Sequence, residues 1–115
     1  MYTNIYFYLI QKENIPAFLE LRQQVAEIMM GYGTLEDKTY TAVTEYKNDH
    51  QLFTMLNAEI EESVLLRQTV FRNESHYQEI QSKVKDDNEL ILLTKTIHPL
   101  INDRKVISAS FTCDD

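Results

Sequence analysis

The stretch from Glu62 to Thr112, ESVLLRQTVFRNESHYQEIQSKVKDDNELILLTKTIHPLINDRKVISASFT, decides how the rest of the chain is read. In its opening run, Val64, Leu66 and Val70 fall on one face and Leu65, Arg67, Thr69 and Phe71 on the other, as in a strand covered on both sides. Asn73 then offers an N-cap, Glu74 suits the positive end of a helix dipole, and Tyr77, Ile80 and Val84 recur at helical spacing. Asp86-Asp87-Asn88 interrupts that helix. Glu89 to Thr96 fits either more helix or a short strand, because an apolar run as short as Leu90 to Leu93 has no diagnostic period. Pro99 and Asn102-Asp103 predict a turn, and Lys105 to Cys113 a closing strand. The segment therefore reads as strand, helix, strand, one half of a split βαβ unit.

The first half supplies the matching unit. Asn4 to Gln11 is rich in aromatic and β-branched residues, with Ile5, Phe7 and Leu9 on one face and Tyr6, Tyr8 and Ile10 on the other. Asn14 is placed to cap a helix, Pro16 is tolerated in its first turn, and Phe18, Leu21, Val25 and Ile28 give the stripe. Gly31 and Gly33, the only glycines, end it. Lys38 to Lys47 predicts a second strand, and Asn48 or Asp49 can cap a short helix carrying Leu52, Met55, Leu56 and Ile60. Val64 to Phe71 is expected at the centre of the sheet. The order β-α-β-β-α-β is the ferredoxin-like pattern: an α+β fold with one antiparallel sheet and its helices on one face.

Composition bounds the function classes. The chain's 115 residues fit a single domain, 1–115, large enough to bury a core. With 18 acidic against 11 basic side chains the net charge is −7, so the attraction that drives binding to nucleic acid or anionic lipid is missing. The expectation is no nucleic acid and no membrane. Cys113 is the single cysteine, which rules out an intrachain disulfide and fits a cytoplasmic location. On a strand face with Ile107, Ala109 and Phe111, it is expected to be packed and inert, with Phe111 in the core. Tyr2 to Ile10 is apolar but too short to span a bilayer and lacks the features of a signal peptide.

No reactive constellation stands out. His50, His76 and His98 lie in separate segments without a second ligand at metal spacing, so neither a metal nor a cofactor is expected. The acidic pairs Glu61-Glu62, Asp86-Asp87 and Asp114-Asp115 read as solvated turn residues. What remains is a sheet face that should alternate into charge if it met water, yet carries Tyr6, Tyr8, Ile10, Leu65 and Phe71. Placed away from the helices, that face predicts a homodimer with two sheets face to face and a cavity enclosed between them. The candidate ligand-binding residues are Tyr6, Tyr8, Arg67, Thr69, Ser108 and Ser110. Together they put phenol, guanidinium and hydroxyl groups over an apolar floor, suited to an organic acid or an aromatic molecule. Packing at a dimer interface accounts for the same composition.

The run VLLRQTVFRNESHYQEIQSKVKDD with HPLINDRKVISASF resembles a family of small uncharacterised bacterial proteins of the dimeric α+β-barrel superfamily. YTNIYFYLIQKENIPAFLELR and the turn Gly31-Tyr32-Gly33-Thr34-Leu35 extend the resemblance to nearly the whole chain. Ser108 and Ala109 stand where that family commonly has a glycine pair. The superfamily includes antibiotic-biosynthesis monooxygenases and haem-degrading enzymes, and the latter use a cavity-facing histidine on the second helix with a pocket tryptophan. Here there is no tryptophan, and His76 lies at the start of its helix.

Three functions follow as expectations. The first is a small homodimer binding an organic molecule beside the sheet. A cofactor-independent monooxygenase or isomerase would use the same cavity, with Tyr6, Tyr8 and Arg67 positioning the substrate. A structural or protein-binding dimer would need no cavity at all. Whether the protein is an enzyme is left open by its residues.

Overall fold

Alternation of aromatic, β-branched and aliphatic residues from Tyr2 to Gln11 produces the ten-residue strand β1. A computed structural model describes residues 1–43, 51–101 and 106–114. In it β1 is followed by a 3-10 turn over Lys12–Asn14, helix α1 (Ile15–Gly31), strand β2 (Glu36–Thr41) and the short helix α2 (Gln51–Met55). Strand β3 (Glu62–Phe71), helices α3 (Glu74–Val84) and α4 (Asn88–Ile101) and strand β4 (Ile107–Thr112) complete the chain. The strands lie in the order β2-β3-β1-β4, every pair antiparallel, which is the ferredoxin-like arrangement with β3 and β1 central.

Local chemistry explains where the elements stop. Asn73 caps α3, its side-chain oxygen accepting from the His76 N–H at 2.8 Å. Asn14 precedes α1 but its side chain makes no cap hydrogen bond, because the 3-10 turn already holds it in a helical conformation. After α1 the chain turns through Gly33 at φ +118°, and the Leu35 N–H joins the Val70 carbonyl at 2.9 Å to start β2.

The run Asn88 to Ile101 is one helix of 14 residues rather than a short strand or a turn. Asp87 opens it by accepting from the Leu90 N–H at 2.8 Å. Pro99 lies inside its last turn, where the ring has a helical φ and only the carbonyl four residues back loses a donor. The predicted strand 38–47 is observed as 36–41. Residues 44–50, with the expected caps Asn48 and Asp49, lie outside the described residues, as do Asn102 and Asp103. Of the helix expected over 48–60, the described part, 51–60, is helical from Gln51 to Met55.

The two sheet faces are the reverse of the expected assignment. Tyr2, Tyr8, Ile10, Leu65 and Phe71 lie under the helices, in one core with Phe18, Val25 and Met29 of α1, Ile80 and Val84 of α3, and Leu93 and Ile97 of α4. The face turned away carries Ile5, Phe7, Leu9, Val64, Leu66 and Val70 on the central strands, with Tyr40, Ile107 and Phe111 on the outer ones. Phe53 of α2 covers one end of it, against Leu9 and Val64. Every residue of β4 is exposed in the single chain, so Phe111 is 57% exposed instead of core, and Cys113 is exposed rather than packed. Edge position accounts for both, since among the described residues no helix covers the face at β4.

Two of the acidic pairs are not simply solvated. Glu62 is 2% exposed, and its carboxylate accepts from the Glu59 N–H at 2.9 Å in a tight turn whose Glu62 N–H donates to the Glu59 carbonyl. Asp87, besides opening α4, accepts from the Tyr32 hydroxyl at 2.6 Å. Burial and turn geometry use these carboxylates as structural acceptors.

Candidate functional site

β1 and β3 set Tyr6 opposite Arg67, and β2 places Thr39 on the far side of Arg67. Successive residues on that face are two apart, so Tyr8 lies beside Tyr6, their rings stacked at 6.3 Å and 17°. α1, α3 and α4 pass over this part of the sheet without filling it. A cleft of about 400 Å³ remains, floored by Tyr6, Tyr8 and Arg67. Its walls are Arg22, Val25 and Met29 of α1, Tyr77, Gln81 and Val84 of α3, and Leu90, Thr94 and Ile97 of α4. His98, Ile101 and Val106 close the end next to β4.

The floor is electrostatically specific. Arg67 binds Asp37 through two hydrogen bonds, Nε to Oδ1 at 2.9 Å and Nη2 to Oδ2 at 2.7 Å, and its guanidinium lies 5.3 Å from the centre of the Tyr6 ring. The side chains of Arg67 and Asp37 are 12% and 2% exposed. Burial alone would lower the Arg67 pKa, but the hydrogen bonds and the charge of Asp37 outweigh it and hold the group above its ordinary value.

Arg22 stands over the neighbouring ring, its guanidinium 5.0 Å from the centre of Tyr8 and 5.4 Å from that of Phe18. Burial, and then repulsion from Arg67, lower its pKa. The Tyr6 phenol is pushed up by burial, partly offset by Arg67, so at neutral pH it is a hydrogen-bond donor and not a base.

All six residues named from the sequence share the helix-facing side of the sheet, and three of them, Tyr6, Tyr8 and Arg67, line the cleft. Thr69 is buried next to Asn4 in the strand register, away from the opening. The Ser110 hydroxyl donates to Asn4 Oδ1 at 2.6 Å, and Ser108 lies on the exposed edge strand beside Tyr6. His76 is buried, with Nδ1 accepting from the Arg72 N–H at 3.0 Å, and does not face the cleft.

The sequence reading missed Arg22. Its signal was present, because Phe18, Arg22, Val25 and Met29 are spaced 4, 3 and 4 apart, which puts a guanidinium inside the buried stripe of α1. Asp37 was hidden by its distance of 30 residues from Arg67.

A second groove, of about 390 Å³, lies on the other side of Arg22 between α1 and β2, with Gln23, Ala26, Lys38 and Tyr40 in its walls. Among the described residues, no three His, Cys, Asp or Glu side chains converge as a metal site would need. None of the described helices is long and apolar enough to cross a membrane.

No family model matches the sequence, and no curated protein does. Solved structures do. An uncharacterized NIPSNAP domain protein from Burkholderia xenovorans superposes with a TM-score of 0.65 at 16% identity, over 100% of both chains. A Deinococcus radiodurans protein provisionally assigned as an antibiotic biosynthesis monooxygenase gives 0.66 at 9% identity, over 100% of this chain and 94% of the other. A dimeric ferredoxin-like protein from an uncultured marine organism gives 0.63 at 12% identity, over 100% and 96%. With strand order, helix placement and these superpositions in agreement, the chain has the ferredoxin-like α+β fold that those structures share.

Proposed function

We propose that the protein is a homodimer that binds a small organic molecule in the cleft between its helices and its sheet. The observation that carries this reading is the cleft itself. About 400 Å³ stands open between three helices and an aromatic floor, a concavity of the kind that holds small ligands. That volume falls at the small end of ligand sites, and a few polar groups converging on apolar walls is their usual chemistry. Dimerisation is supported separately, by the apolar sheet face opposite the helices and by the dimeric structural neighbour.

The provisional assignment of the Deinococcus neighbour gives the enzymatic alternative, a cofactor-independent monooxygenase or isomerase acting in the same cleft. Acid–base chemistry would need a group titrating near neutral pH. Tyr6 is shifted away from that range, and His98, the histidine of the lining, stands at the end of the cleft and not on its floor, so binding is the reading we favour.

A fragment screen read by backbone amide shifts tests the site, using wild type and Thr94→Trp. Thr94 is an exposed residue of α4 that borders the cleft, so an indole there fills space without disturbing the core. Hits should perturb Tyr6, Tyr77 and Ile97 in wild type and be lost in the variant. Hits that map to the other sheet face, or that persist in Thr94→Trp, would sink the reading.

A further inference from the structure

We infer that the cleft takes a small carboxylate and that Arg22 is the residue that binds its anionic head, an assignment that rests on the cleft being a ligand site. Two guanidiniums line the cleft, Arg67 in its floor and Arg22 in its wall, and among the described residues one carboxylate pairs with them. Asp37 is committed to Arg67 through both of its oxygens. Arg22 has no hydrogen-bond or ion-pair partner among the described residues, and its Nε is buried without one. The ring faces of Tyr8 and Phe18 lie against it, which tolerate a cation but satisfy none of its five N–H donors, and the charge of Asp37 acts on it without a hydrogen bond. A guanidinium stays charged at any physiological pH, and a desolvated, unpaired charge is costly to keep. An anion entering the cleft removes that cost.

The count of charges and the character of the walls narrow the anion's class. With Arg67 neutralised by Asp37, Arg22 leaves the lining of the cleft with an excess of one positive charge. That matches a monoanionic carboxylate, whose two oxygens fit the guanidinium fork, better than a phosphate carrying up to two charges. Behind Arg22 the walls are Val25, Met29, Leu90 and Ile97, which favour an apolar body. The Tyr6 phenol can donate beside the head, while Gln81 and Thr94 lie on the helices for a polar substituent further out.

The test is a matched acid and amide comparison at neutral pH, using benzoate against benzamide and hexanoate against hexanamide. Binding is followed by amide shifts and by the side-chain Nε–Hε resonance of Arg22, in wild type and Arg22→Gln. Each acid should bind about tenfold or more tightly than its amide, shift Arg22 Nε together with Tyr77 and Ile97, and lose that advantage in Arg22→Gln.

Equal affinity for acid and amide at the cleft would overturn the carboxylate assignment and leave the ligand site standing. The same holds for acid shifts confined to Gln23, Ala26 and Thr39, on the groove side of Arg22. No binding of any of the four compounds would overturn the assignment and the cleft reading together. If Arg22→Gln does not fold, the wild-type acid-to-amide ratio and the Arg22 Nε shift decide the matter alone.

Discussion

Asp37 is the residue on which the floor of the cleft depends. It is 2% exposed at its side chain, accepts twice from Arg67, and its charge acts on Arg22 as well. Removing its charge while keeping its shape leaves two guanidiniums facing each other in a partly desolvated site. Breaking one partner of a buried ion pair typically costs about 3–5 kcal/mol, so Asp37→Asn should lower the unfolding free energy by about that amount in urea titration. The double variant Asp37→Leu with Arg67→Met should cost clearly less than the two single changes summed, because neither partner is then left alone. An Asp37→Asn protein within about 0.5 kcal/mol of wild type would show that the pair is solvated in solution. The same geometry changes the role expected of Arg67. It cannot serve as a free anion-binding group, because it already holds a carboxylate, and the free guanidinium of the cleft is Arg22.

At the scale of elements, the turn from α1 into β2 is the sharpest test of the local reading. Gly33 has φ +118°, a conformation L side chains rarely adopt, and a Cβ there would sit 3.2 Å from Ile80 Cδ1 and 3.6 Å from His76 Nε2. Gly33→Ala should therefore cost about 1–3 kcal/mol. Gly31→Ala is its control: a helical position with nothing within 4 Å of the added Cβ, where alanine should be neutral or stabilise by up to about 1 kcal/mol. Equal thermal midpoints for the two variants would remove the strained turn.

Gly33, like the Asn73 cap, was legible from the sequence because its cause lies within a few residues of it, whereas Gly31, expected to need the same freedom, ends α1 as an ordinary helical residue. The assignment of the sheet faces was not legible. In β1 both Ile5, Phe7, Leu9 and Tyr6, Tyr8, Ile10 are apolar sets, so alternation defines two faces and cannot say which one the helices cover. That choice is made by contacts with Phe18, Ile80 and Ile97, far along the chain. The same limit applies to α4. Its apolar run fits two periods, and what decides for a helix is packing of Leu93 and Ile97 on the core, together with Asp87 at its start.

For the whole molecule, the reversed faces strengthen the case for a dimer while moving its surface. A sheet covered by helices on one side needs a second cover for an apolar opposite face, and α2 supplies it only at the end holding Leu9 and Val64. Tyr40 at 48%, Ile107 at 42% and Phe111 at 57% exposure flank the half-buried Ile5, Phe7 and Leu66, and together they form one surface. A second copy would supply a matching surface by symmetry, the patch of one chain meeting the same patch on the other. Light scattering coupled to size exclusion should then give twice the chain mass of 13.6 kDa. Phe111→Asp should shift the protein to monomer with its circular dichroism unchanged, because Phe111 contributes little to the core of a single chain. Ser108→Asp tests the face and not merely the strand: it adds the same charge to the opposite, helix-facing side of β4 and should leave the dimer intact. A monomeric wild type, or dissociation by both substitutions alike, would mean that the apolar face is not the contact, and that its exposed side chains are held by some other cover.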